Sequence, residues 1–194
     1  MQRTSTTPIP LPIRLLEQKL VMMLFFLVIA FMGSGCSAPK SGLVSDSVRP
    51  GAERDAAYAI LYELLDDEAQ LDAILILKSA SPETESLIRE IAVSSAAMRD
   101  ELKVMIDRDP DLTRTVSGLP LAEAAARDRI STATASTLLT SSGEDFELLI
   151  LITQEKAMSY GQHLAGALAD QDDDQKRVES LSRMSSVMGS FHGR

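Results

Sequence analysis

Residues 81–109 read SPETESLIREIAVSSAAMRDELKVMIDRD. Ser81 fits an N-cap, Pro82 the first helical position, and Glu83 and Glu85 favour the positive end of a helix dipole. Thr84, Ile88, Ile91, Ser95, Met98, Leu102 and Met105 then recur every three or four residues, the spacing of one helical face. Asp109-Pro110 stops the pattern, because a residue before proline is pushed out of the helical region. The stretch predicts one amphipathic helix about 40 Å long.

The same period continues on both sides. Residues 53–78 place Ala57, Leu61, Leu64, Glu68, Leu71 and Leu75 on one seam, widened by Ile60, Leu65, Ile74 and Leu77. A continuous or kinked helix is the preferred reading; the cluster Asp66-Asp67-Glu68 could instead end one helix and cap the next. Residues 110–119 form a connection. Pro120 opens a third helix over 121–140, rich in Ala, Ser and Thr, and Gly143 suits its C-terminal stop. A fourth helix follows with Phe146, Ile150, Thr153, Ala157, Tyr160, Leu164 and Ala167 as its seam. Beyond the acidic break 170–174, Val178, Leu181, Ser185 and Met188 give a short fifth helix a weak stripe. No long alternating strand pattern and no hairpin dipeptide appears. The expectation is an all-α domain over 51–190: an antiparallel up-and-down four-helix bundle with an additional short C-terminal helix covering one end or groove.

Composition narrows the function classes. The chain has 194 residues, 45% hydrophobic and 4% aromatic, with a formal net charge of −9. Such an acidic chain lacks the clustered Lys and Arg that phosphate neutralisation needs, so nucleic acid is not an expected partner. One cysteine excludes an internal disulfide framework.

That cysteine has a particular setting. Arg3, Arg14 and Lys19 outweigh Glu17, and Leu20 to Met32 is an uninterrupted apolar run. The run would span roughly 20 Å as a helix, short of a ~30 Å hydrocarbon core, so it fits a signal-peptide core better than a membrane span. Gly33, Ser34 and Gly35 lead to Cys36. Basic start, apolar core, small residues and lone Cys together resemble the lipobox of bacterial lipoprotein precursors. The chain departs from that family at Gly33, where an aliphatic residue is usual. The resemblance covers about the first 36 residues and implies removal of 1–35, lipidation of Cys36, and a flexible Ser/Pro-containing tether over 36–50. Ser37 after the cysteine implies the outer membrane in a diderm cell. The mature chain would carry −11, with 16 basic and 27 acidic residues, so the lipid must do the holding at an anionic surface.

Chemical motifs are sparse. A di-metal bundle needs four carboxylates and two Glu-x-x-His pairs. Tyr160 precedes His163 by three residues and Gly189 precedes His192, so neither pair exists. Glu68, Glu90, Glu155 and His163 are the nearest substitute, with Glu68, Glu155 and His163 the weak metal candidates. For Glu68 a kink, cap or snorkelling role is favoured. Asp170, Asp172 and Asp174 imitate the start of a calcium loop, but Gln175 and Leu181 stand where it needs Gly and Glu, so a helix cap is preferred. No nucleophile elbow or phosphate loop occurs. The expected role is therefore interaction or structure, without catalytic residues or a cofactor. It is that of a lipid-anchored envelope protein facing the periplasm, partnered by the membrane through its lipid and by another envelope protein or itself. The residual stripe on the third helix is one candidate contact. A ferritin-like bundle with an irregular ligand set is the alternative, and a carrier of an apolar ligand between the helices is a third option.

Overall fold

Ser81 caps its helix as its sequence position predicts. Its side chain accepts a hydrogen bond from the Thr84 amide at 3.3 Å, and Pro82 follows at the first helical position. The computed structural model describes residues 52–117 and 119–192. The segments expected to be a signal peptide (1–35) and a lipidated Cys36 with its tether (36–50) lie outside the described residues. Helix α1 is Ala52–Glu68, followed by a 3-10 segment, Leu71–Ile76. Then come α2 (Pro82–Arg108), α3 (Leu121–Thr140), α4 (Gly143–Gln171) and α5 (Gln175–Phe191). The domain is an all-α helical bundle, and no strand occurs among the described residues.

The continuous helix expected over 53–78 does not form. α1 ends at Glu68 and the chain tightens into the 3-10 segment. Asp66, Asp67 and Glu68 place three carboxylates at the negative end of the α1 dipole with no basic residue in the last turn. The backbone there is weakly supported, and the short, tighter helix lets Leu71, Ile74 and Leu75 turn towards a different part of the core.

The main core cluster is built from α1, α2, α4 and α5. It joins Tyr58, Leu61 and Leu65 to Ile91, Met98 and Leu102, and both to Met158, Leu168, Leu181, Met184 and Met188. The fifth helix is therefore a full wall of the bundle rather than a cover, with Leu181, Met184, Met188 and Phe191 all buried. The third helix takes the peripheral place: of α3 only Leu138 is buried. Its Ala, Ser and Thr side chains offer too little apolar area to compete for the interior, whereas the α5 methionines fill irregular gaps well. A second, smaller cluster of Ile88, Leu138, Phe146 and Ile150 sits where α3 turns into α4.

Close approach of α4 and α5 depends on Gly161. A Cβ there would lie 2.5 Å from the Met188 sulfur and 2.9 Å from Leu64 Cδ2. Ser185 Oγ donates to the Gln162 carbonyl at 2.9 Å, tying the same two helices.

The chain ends of the helices meet in a charged knot. The Arg177 guanidinium contacts both oxygens of Asp172, at 3.0 Å from Nε and 2.8 Å from Nη2, and reaches Asp109 at 2.9 Å through Nη1. Tyr58 donates its hydroxyl to Asp172 at 2.6 Å. The Asp172 side chain is fully shielded from solvent. Burial alone would raise its carboxyl, but Arg177 and Tyr58 outweigh that and hold it below the usual carboxylate range. For Tyr58 burial comes first and the bond to Asp172 second, and both push the phenol far above its ordinary range. Asp174 accepts from the amides of Lys176 and Arg177 at the start of α5. Of the apparent calcium-loop aspartates, Asp172 is thus an ion-pair anchor and Asp174 a helix cap, while Asp170 is exposed in the last turn of α4.

Two substitutions test this packing. Arg177→Met leaves a buried carboxylate unpaired and is expected to cost roughly 3 kcal/mol in urea unfolding at pH 7. Gly161→Val forces an isopropyl group, three extra carbons, between Met188 and Leu64 and is expected to cost about 1–3 kcal/mol in the same measurement.

Candidate functional site

The buried interior holds several polar side chains. On α4, Ile150 belongs to the smaller cluster and Met158 to the larger, and the residue one turn from each is Gln154, only 5% exposed. Its Oε1 is sealed from solvent and has no hydrogen-bond partner. Glu68 at the end of α1 keeps part of its surface in water while its Oε2 is sealed and unpartnered. Ser95 on α2 is completely buried, and its hydroxyl also lacks a partner. With Arg54 Nε, also on α1, four buried side-chain atoms among the described residues lack a partner, a costly arrangement for a domain this size.

Burial pushes the Glu68 carboxyl up to about 7. The amide of Gln154 opposes that rise and the charge of Asp67 adds to it.

Gln154 also lines a groove of about 320 Å³ on the outside of the bundle. Leu87 and Ile91 of α2, Leu151, Ile152 and Met158 of α4, and Phe191 at the end of α5 form its apolar walls. Glu155 stands at the same groove and meets His192 Nδ1 at 3.2 Å. A smaller groove of about 190 Å³ lies between α3 and α4, lined by Ala133, Thr134, Thr137, Leu138, Leu149 and Thr153.

The metal candidates are not assembled. Glu68 is at the polar layer, Glu155 is exposed and paired with His192, and His163 and Glu90 are also exposed. Among the described residues no three of His, Cys, Asp or Glu gather as a metal site. Cys36 lies outside the described residues. Gln154 escaped the sequence reading because the α4 seam was stepped from Ile150 to Thr153 rather than to Gln154. The structure buries Gln154, Met158, Gly161, Ala165 and Leu168 instead, one residue further round than Thr153, Ala157, Tyr160, Leu164 and Ala167.

The opposite end of α4 is occupied structurally. The Ser81 amide and the hydroxyls of Ser81 and Thr84 reach the Glu147 carboxylate at 2.8–3.0 Å. The bonds from Ser81 and Thr84 lower its pKa. This carboxylate is consumed by docking the start of α2.

Comparison with known proteins found no matching family, curated protein or solved structure.

The polar layer makes stability depend on pH. Glu68 holds its proton more tightly folded, at about 7, than at its ordinary value of 4.5. Its contribution to folding is therefore complete below pH 4.5 and is lost as the pH rises through 7. Urea unfolding is expected to show the protein more stable at pH 5 than at pH 8, with about 3 kcal/mol of the difference from this group. Glu68→Gln should remove that share. An unchanged pH dependence in Glu68→Gln would show that the carboxyl titrates normally.

Proposed function

We propose that this chain is a lipid-anchored protein of the bacterial envelope, held at the outer membrane of a diderm cell through Cys36. On this reading its helical domain faces the periplasm and works by binding another envelope protein or a second copy of itself. The observation that carries the binding role is the state of α3. Twenty residues are helical, yet only Leu138 is buried. Leu121 is 87% exposed and Ile130 67%. Beyond Leu138, Arg127 reaches the Tyr160 hydroxyl at 3.4 Å, and Lys78 donates to the Ser141 carbonyl just beyond the end of α3. A helix of this length draws little stability from its backbone alone, and most helices obtain it by packing an apolar face. A protein partner laid along α3 would supply that packing.

The anchor rests on the sequence features around Cys36. Among the described residues no helix is long and apolar enough to cross a membrane.

Two measurements test the two halves separately. Cys36→Ser is expected to move the protein from the membrane to the soluble fraction; full retention would mean that the apolar run itself is the anchor. Crosslinking in intact cells is expected to give one discrete adduct, with an envelope protein or with itself, that is lost in Ile130→Asp. An adduct indifferent to that change, or none at native abundance, would overturn the role assigned to α3.

A further inference from the structure

Contacts along α1 set its register on α4: Tyr58 reaches Asp172 just past the end of α4, Leu64 lies over Gly161, and Glu68 comes level with Gln154. Glu68 Oε2 and Gln154 Oε1 are both sealed from solvent, and neither has a hydrogen-bond partner. The Gln154 amide brings one donor end and one acceptor end, whereas a charged carboxylate brings two acceptors. Turning the amide over only changes which carboxyl oxygen is left facing an oxygen. One proton on the carboxyl converts the surplus acceptor into a donor. Acid and amide then match at both positions, the amide N–H donating to one carboxyl oxygen and the acid O–H to the amide oxygen.

The surroundings offer no cation for that place. Arg99 of α2 is held by Asp66 and Asp100, and His192 at the end of α5 by Glu155 of α4. Asp67 on α1 opposes a charge on Glu68, and Asp72 of the 3-10 segment carries the same sign. Ser95 of α2 is neutral. Glu68 is also the last residue of α1, where the helix dipole disfavours a carboxylate.

We propose that Glu68 and Gln154 form an acid–amide ring closed by one proton, which latches the end of α1 to α4, and that loss of this proton frees the 3-10 segment Leu71–Ile76 to open.

The proton and the ionised side chain share a short way out. Glu68 keeps part of its surface in water, and Gln70 two residues on is exposed. The 3-10 segment that follows buries no residue of its own, and Leu71, Ile74 and Leu75 rest on the core only as partly buried side chains. Segments so lightly held open locally before the whole domain does. With the latch shut Glu68 keeps its proton up to about pH 7, whereas a released carboxyl returns to its ordinary 4.5. Opening therefore grows as the pH rises between these values, by about tenfold per unit for one proton, and levels off above 7. The latch rests on this pair alone, and its failure would leave the anchor and the binding role of α3 standing.

The test uses the full chain, labelled with ¹³C and ¹⁵N, in lipid nanodiscs. The Glu68 carboxyl carbon, the Gln154 side-chain amide and the backbone exchange of Ala73 and Leu77 are followed against pH. Those two backbone amides bond to the Gln70 and Ile74 carbonyls of the segment. The Glu68 and Gln154 signals are expected to move together with one midpoint near pH 7. Exchange, corrected for hydroxide catalysis, is expected to accelerate about tenfold per pH unit towards that midpoint and then flatten. Glu68→Gln closes the ring without a titrating proton, so its exchange should stay slow and flat. Glu68→Asp, one methylene shorter, should exchange at the open rate at every pH. The native titration needs no variant, so the ring is tested even where a substitution fails to fold. A Glu68 midpoint at the ordinary carboxylate value, or a Gln154 amide indifferent to the Glu68 step, would overturn the proposal. So would native exchange that does not follow that step, or a pH-dependent opening that survives in Glu68→Gln.

Discussion

The guanidinium of Arg177 is the point on which the bundle's geometry turns. A single cation holds the ends of α2 and α4 through Asp109 and Asp172, and Asp172 in turn holds α1 through Tyr58. Four helices are thereby fixed at one end by one planar fork of donors, a task for which lysine lacks the shape. Removing either Asp172 or Arg177 would strand the other in low dielectric, so the knot stabilises mainly by making every alternative arrangement costly. The far end is fastened differently. Glu147 accepts three hydrogen bonds from the capping turn of α2, so that end is held by neutral donors on one carboxylate.

Between these two fixed ends lies a middle that is not optimised for stability. Glu68, Ser95 and Gln154 interrupt the hydrocarbon core, and their unpartnered atoms would be better replaced by Leu or Met if rigidity were the only demand. Natural cores tend to break packing rules where something other than stability is served.

Much of the architecture was legible in the sequence where chemistry is local. The start of α2 was readable because capping needs only Ser81, Pro82 and two acidic neighbours. Its face was readable because Thr84, Ile88, Ile91, Ser95, Met98 and Leu102 follow one period, and all six are buried. The fold class followed from the same period repeated along the chain. What the sequence did not disclose depends on competition between elements. The α3 pattern is regular, but whether a helix enters a core depends on how much area its rivals offer, and α5 with its Leu, Met and Phe offers more. The break after Glu68 is a contest between the propensity of LDDEAQLD and the dipole cost of its acids, and the pattern alone does not rank them. For the polar layer, Glu68 and Ser95 were visible on their seams. Gln154 was not, because a step of three or four from Ile150 is equally periodic and a buried glutamine beside an apolar Met158 looks like surface.

The link between α4 and α5 has a consequence for how the chain acquires its structure. Only residues 172–174 separate these two helices, and their mutual contact is dense, with Ser185 on Gln162 and Met188 on Gly161. Closing so short a loop costs little entropy, so this hairpin should be the earliest tertiary element, with α1 and α2 condensing on it. Synthesis runs from the other terminus. The scaffold on which the domain assembles is therefore made after α1, α2 and α3, and those helices wait unpacked until α5 has followed α4.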